Sequence, residues 1–107
     1  MYKKQLSGPK QWIIEQCQDL DFGRVTFHVV GGEPDISRPW RTRQTVKLNG
    51  GENGPRPEAN RADFELRKEH VALFDQLARL RDGACVTIEV KHGLPFIIEI
   101  EQEHQAA

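Results

Sequence analysis

Apolar positions along the chain switch between two spacings. Trp12, Ile13, Ile14, Cys17 and Leu20 recur at three- and four-residue steps, as one buried helix face requires. Ser7-Gly8-Pro9 marks the start, because the N–H that proline lacks has no partner in the first helical turn. The helix is expected to end near Asp21-Phe22-Gly23, with Gly23 taking the positive φ of a C-cap. From Arg24 to Val30 the period falls to two: Val25, Phe27 and Val29 share one side, Thr26 and His28 the other. Gly31-Gly32 then fits a two-residue hairpin turn, since both residues accept φ > 0. Pro34 and Pro39 interrupt the return, and pairing is expected to resume across Trp40 to Leu48.

The second half follows the same plan. Asn49 through Asn60 holds Asn-Gly, Gly-Gly and two prolines, and reads as a flexible connection. Phe64 and Leu66 alternate with polar residues and fit a short strand or a helix lead-in alike. Val71, Phe74, Leu77 and Leu80, with Leu73, predict a helix ending near Asp82-Gly83. Val86, Ile88 and Val90 alternate with Thr87, Glu89 and Lys91, His92-Gly93 makes a turn, and Phe96, Ile98 and Ile100 complete a hairpin. Together the elements predict one α+β domain spanning 1–107, in which two helix–β-hairpin units form one antiparallel sheet with both helices on one face.

Val25 to Pro34 can be laid over Val86 to Pro95, with Val, Thr, Val, Gly and Pro identical at matching places. The helix ends match as well, Leu20 with Leu80 and Gly23 with Gly83, once one residue is allowed for between Gly83 and Val86. Self-similarity of this kind points to an internal repeat, 9–48 and 63–102, joined by a flexible loop 49–62. The run Leu20-Asp21-Phe22-Gly23-Arg24-Val25-Thr26-Phe27, followed by Val29-Val30-Gly31-Gly32, resembles the small uncharacterised YezD-like family. Members of that family look like one helix, a Phe/Tyr-Gly-x-Val-x-Ile strand start, an Asp/Asn-Gly turn and a second strand. The unit from Leu80 to Ile100 resembles it more loosely, with Asp82 in place of the aromatic. The resemblance implies a single-unit protein that pairs, and makes this chain a tandem, pseudo-dimeric version. It implies no activity, catalytic residue or cofactor.

Charge adds a feature that the elements alone do not show. Fifteen Lys and Arg nearly balance sixteen Asp and Glu, which argues against a polycationic coat and an acidic disordered tail. Yet residues 1–57 carry nine basic and six acidic side chains, and 58–107 carry six and ten. No acidic residue occurs from Ser37 through Gly51. Parity places Arg41, Arg43 and Lys47 on one strand face, opposite Val46 and Leu48, with Trp40 on the apolar side. The outward positions of the second half include Glu89, Lys91, Glu99 and Glu101.

Recognisable reaction chemistry is missing from the pattern. Asn49 to Gly54 is glycine-rich but lacks the Lys and following helix of a phosphate-binding loop. Neither Ser7 nor Ser37 stands in Gly-x-Ser-x-Gly, and Cys17 and Cys85 form no Cys-x-x-Cys pair. Both cysteines read as small buried hydrophobes. A Cys17–His28 couple would need an exposed thiol, and Cys17 falls on the apolar stripe. Glu99 and Glu101 share a face without a pocket to shift their pKa values. His28, His70, His92 and His104 show no helical ligand spacing, so no metal or cofactor is expected.

No apolar run reaches the length of a membrane span, and no apolar core follows the basic N-terminus. Free thiols and that start point to a cytoplasmic protein. The expected function is a non-enzymatic interaction module for another protein or for itself, through Arg38, Arg41, Arg43, Lys47, Glu89, Glu99 and Glu101. The alternative is weak binding of single-stranded nucleic acid along the basic strand, with Trp40 as the candidate stacking ring.

Overall fold

The computed structural model describes residues 2–46, 48 and 66–102. Lys47, the connection 49–62, Phe64 and His104 lie outside the described residues. Ser7 caps the first helix, α1 (Gly8–Leu20), its hydroxyl accepting from the Lys10 N–H at 3.5 Å and donating to a carboxylate oxygen of Glu33. Pro9 stands in the first turn, as its missing N–H allows. At the other end Asp21 is the cap residue, with φ 63°, ψ −60° and its N–H bonded to the Cys17 carbonyl, while Gly23, with φ 153°, opens the next strand. The Phe22 N–H donates to the Leu20 carbonyl at 2.7 Å, which closes a γ-turn about Asp21.

Strand β1 (Gly23–Val30) turns at Gly31-Gly32, with φ of 60° and 75°, into the two-residue β2 (Glu33–Pro34). After a turn tied by Asp35 and Ser37, β3 (Arg41–Gln44) returns to the same side of β1. The return strand is thus shorter than the span Trp40 to Leu48: past Gln44 the Thr45 N–H donates to the Phe22 carbonyl at 2.9 Å. Val46 and Leu48 are exposed, so neither anchors the end of this strand on the core.

Helix α2 (Lys68–Leu77) is followed by β4 (Cys85–Lys91), a turn at His92-Gly93, and β5 (Leu94–Glu101). All pairings are antiparallel, and the strand order is β2/β3, β1, β4, β5. The architecture is therefore α+β, two helices and an antiparallel sheet of five strands. Among the described residues no helix is long and apolar enough to cross a membrane.

The core lies between the helices and one side of the sheet. Ile13, Cys17 and Leu20 of α1 and Leu73 and Leu77 of α2 pack with Val25, Phe27, Val29, Val86, Ile88 and Val90. Strand alternation alone sorts these six strand residues to one side. Burial pushes the Cys17 thiol up to about 12, so it stays a protonated hydrophobe in this core.

Two expected inward faces differ from what forms. On β5 the partners of Glu89 and Val90 are Ile97 and Pro95, so Phe96 is an extra, bulged residue and is 61% exposed. Ile100 keeps its inward register opposite Val86, but β5 is the sheet's edge and Ile100 remains at the rim of the core. On α2, Val71 is exposed and His70 takes the inward position, because the buried stripe runs His70, Leu73, Leu77. Leu80 lies beyond the helix end and packs on the core from the following turn.

His70 makes the fold acid-sensitive. It is 1% exposed, its Nδ1 accepts from the Arg67 N–H at 3.1 Å, and burial pushes it down to about 4. Its folded pKa lies below the unfolded value, so the unfolded chain takes up the proton first. Stability is full above about pH 6.5 and is lost as pH falls toward about 4. Urea unfolding should show a loss of about 2 kcal/mol between pH 7 and pH 4.5 from this group. His70→Gln, which keeps an acceptor without the titration, should remove about one proton from that slope. An unchanged slope would assign the acid sensitivity to other groups.

Candidate functional site

Among the described residues nothing packs on the side of the sheet away from the helices, and the register fixes which residues share it. One row runs Arg41, Thr26, Thr87, Glu99 across β3, β1, β4 and β5. The next runs Arg43, Arg24, Glu89, Ile97, and a third runs His28, Cys85, Glu101. Adjacent strands stand about 4.8 Å apart, so the ends of a full row are about 14 Å apart. Basic side chains fill the β3–β1 half of this face; the β4–β5 half carries Glu89, Glu99 and Glu101, with Lys91 as the cation at its end.

The Thr26 and Thr87 hydroxyls hydrogen-bond at 3.0 Å in the middle of the sheet. One hydroxyl donates to the other, which leaves the second proton free for another acceptor. Around this pair Arg24, Arg41, Arg43 and Glu99 wall an open concavity of about 380 Å³. A second hollow of about 490 Å³, toward the Asp35 turn, is lined by His28, Arg38, Arg81, Asp82, Cys85 and Glu101. The turn itself is stiffened by Ser37, whose hydroxyl and N–H both donate to Asp35 and hold its carboxyl below the usual range.

Arg24 and Arg43 are direct cross-strand neighbours of like charge, an unfavourable arrangement on a sheet. At a separation of about 6 Å in water the repulsion amounts to about 0.7 kcal/mol. Among the described residues none of Arg24, Arg41, Arg43, Glu89, Glu99 and Glu101 forms an ion pair; Lys3 does, with Glu15 at 3.1 Å. Arg24 also stands directly across from Glu89 on β4, a favourable neighbour, while Arg41 and Glu99 lie at opposite ends of their row, so the outer charges of the face are separated.

Of the residues expected at the site, Arg41, Arg43, Glu89, Glu99 and Glu101 share this face and Arg38 borders it. Trp40 does not reach it. Its ring meets Trp12 of α1 edge-on at 5.0 Å, and Trp12 in turn meets Phe27, which places Trp40 on the helix side. It is 45% exposed there, a lid on the core margin and not a core residue.

Cys85 also departs from expectation. It is half-buried on the open face between His28 and Glu101, not part of the core. Its neighbour His28 has a buried Nδ1 without a hydrogen-bond partner among the described residues, and no bond joins it to the thiol. Cys17 and His28 lie on opposite sides of the sheet, so they form no couple. Alternation along β1 and β4 already sends Arg24, Thr26 and Thr87 outward, but their place beside Arg41 and Arg43 follows only from the order of strands.

Among the described residues no group of three or more His, Cys, Asp or Glu is placed to hold a metal ion. Among the described residues, fold and face together define a two-layer α+β protein whose second sheet surface carries charge of both signs. Comparison of the chain with family models, curated proteins and solved structures finds no match to any of them.

Proposed function

We propose that this chain is a small non-enzymatic binding module whose open sheet face receives a protein surface. The observation that carries the reading is the sorting of charge on that face, with Arg24, Arg41 and Arg43 on one half and Glu89, Glu99 and Glu101 on the other, Lys91 being the exception at its end. Such complementarity sets orientation and encounter rate, and it tolerates the repulsion within the free protein because a partner relieves it. A cytoplasmic setting belongs to the same reading and is supported by two free thiols, Cys17 and Cys85.

The reading includes an origin by duplication. The alignment that lays Val25 over Val86 lays Thr26 over Thr87, and these two threonines are also register partners across β1 and β4. A local twofold axis through their hydrogen bond relates the two helix–hairpin units. The offset that matches Leu20 with Leu80 also relates the helix starts Gly8 and Lys68, and the buried pairs Ile13 with Leu73 and Cys17 with Leu77. The likeness to the YezD-like family rests on the same residues and supports the same picture, a paired unit fused in tandem.

An Arg41→Glu/Arg43→Glu double variant tests the site. Wild-type protein on a support should retain a polypeptide at low salt that the variant releases, because the two substitutions reverse the charge of one half-face. Equal retention by both proteins would remove the open face from the binding function.

The second reading, weak binding of single-stranded nucleic acid, is supported by the three clustered arginines and is opposed by the place of Trp40, the expected stacking ring, on the helix side; Phe22, which lines a hollow with Arg24 and Arg43, already meets the His92 ring. Anisotropy of labelled single-stranded DNA and RNA separates the two. A flat titration leaves the protein reading. Saturable binding whose logarithm falls with log salt at a slope of about −2, as three phosphate contacts give, would replace it.

A further inference from the structure

We infer that the open face docks on the same face of a second copy of this chain, about a twofold axis running along the strands between β1 and β4. This inference rests on the reading of the open face as a protein interface. Rotation about such an axis reverses the order of the strands and leaves each row at its own height. The basic half of one copy then lies over the acidic half of the other. Arg41 meets Glu99 of the second copy, and Arg24 meets Glu89 of the second copy. Arg38, beside the third row, comes toward Glu101 of the second copy. Thr26 and Thr87 meet their opposite numbers at the centre.

The choice of occupant follows from the face carrying its own complement. An acidic partner would satisfy the arginines and oppose Glu89, Glu99 and Glu101; a basic partner would do the reverse. A twofold axis across the strands fails in the same way, since it stacks Arg41 on Arg41 and Glu99 on Glu99. Nor does the chain neutralise the outer charges itself: Arg24 has Glu89 beside it across β1 and β4, but Arg41 and Glu99 are three strand spacings apart, about 14 Å. Two aligned sheets cross at about 30°, which misaligns the corners most and the central rows least. Ile97 is the one large apolar side chain in the rows, so the association depends on charge and weakens with salt.

Sedimentation of the full chain at low and at moderate salt tests the inference, with Arg41→Glu, Glu99→Arg and the double exchange carrying both. Both positions are exposed, and circular dichroism checks that each variant keeps the fold. Wild-type protein should sediment as a dimer at low salt and dissociate as salt rises. Each single variant should weaken self-association about tenfold or more, because twofold symmetry breaks the contact twice. The double exchange should restore dimerisation, since it rebuilds both contacts with the signs reversed. Wild-type protein that stays monomeric at low salt, a dimer indifferent to Arg41→Glu, or a double exchange that fails to restore the mass each overturns the inference. If the wild type is monomeric while the partner retention of the preceding test still requires Arg41 and Arg43, self-docking alone falls. If that retention is also indifferent to the substitutions, the reading of the face falls with it.

Discussion

Gly23→Ala is expected to lower the unfolding free energy by about 3 kcal/mol or more, a melting decrease of about 12 °C or more for a domain of this size. Gly23 has φ 153°, and a methyl group there would overlap the Arg43 carbonyl oxygen. That conformation belongs almost entirely to glycine, so the substitution is strained before any contact is counted. The obstacle is backbone and cannot swing aside as a side chain would. Relief requires β3 to move off β1, which also displaces Arg41 and Arg43 from the open face. Amide exchange separates this from general destabilisation. The Thr45 N–H, bonded to the Phe22 carbonyl at 2.9 Å, should lose protection before the amides of the β1–β4 pair. Equal loss at both places would mean that β3 is not the element released.

Phe27→Ala should be comparable in size, at about 3–5 kcal/mol, for a different reason. Phe27 is 1% exposed, stands opposite Val86 in the central strand pair, and meets the Trp12 ring edge-on at 6.0 Å. Truncation removes the ring's transfer energy and leaves a cavity that the rigid strand pair cannot close. A urea midpoint that falls with an unchanged slope would report that loss within a two-state fold. Val71→Ala, at an exposed position of α2, should change stability by no more than about 0.5 kcal/mol. A large effect at Val71 together with a small one at Phe27 would reverse the assignment of α2's inward face.

Most of the fold was legible because its elements carry strong periods. Ile13, Cys17 and Leu20 declare a helix, and Val25-Thr26-Phe27-His28-Val29 and Val86-Thr87-Ile88-Glu89-Val90 declare half-buried strands. Both glycine-containing turns stand where their φ values are needed, at Gly31-Gly32 and His92-Gly93. Less visible were features set by neighbours distant in the chain. Gly23 is explained by the approach of β3 and not by the helix cap. Phe96 lies outward because a bulge changes the pairing of β5 against β4. Val71 and His70 exchanged places because one apolar residue on a helix flank is weaker than the phase set by Leu73 and Leu77.

The candidate face was partly visible for the same physical reason. Parity along β3 and β5 gave Arg41, Arg43, Glu99 and Glu101, since alternation needs no knowledge of partners. Arg24 and the Thr26–Thr87 pair required the order of strands, which places β1 beside both β3 and β4. Trp40 had the parity of the apolar side and took it, but a strand of four residues could not carry it under the helices.

The pairing of β1 with β4 has a further consequence for how the chain tolerates change. The two strands at the middle of the sheet come from opposite halves of the sequence, and each helix sits with its own half. Joining the two halves in one chain makes their meeting intramolecular and independent of concentration. A chain severed between residues 48 and 66 leaves two fragments, each with one helix and one central strand whose inner edge is unsatisfied. Their reunion becomes a bimolecular event, which makes this fold a scaffold for guest insertion or for a split reporter.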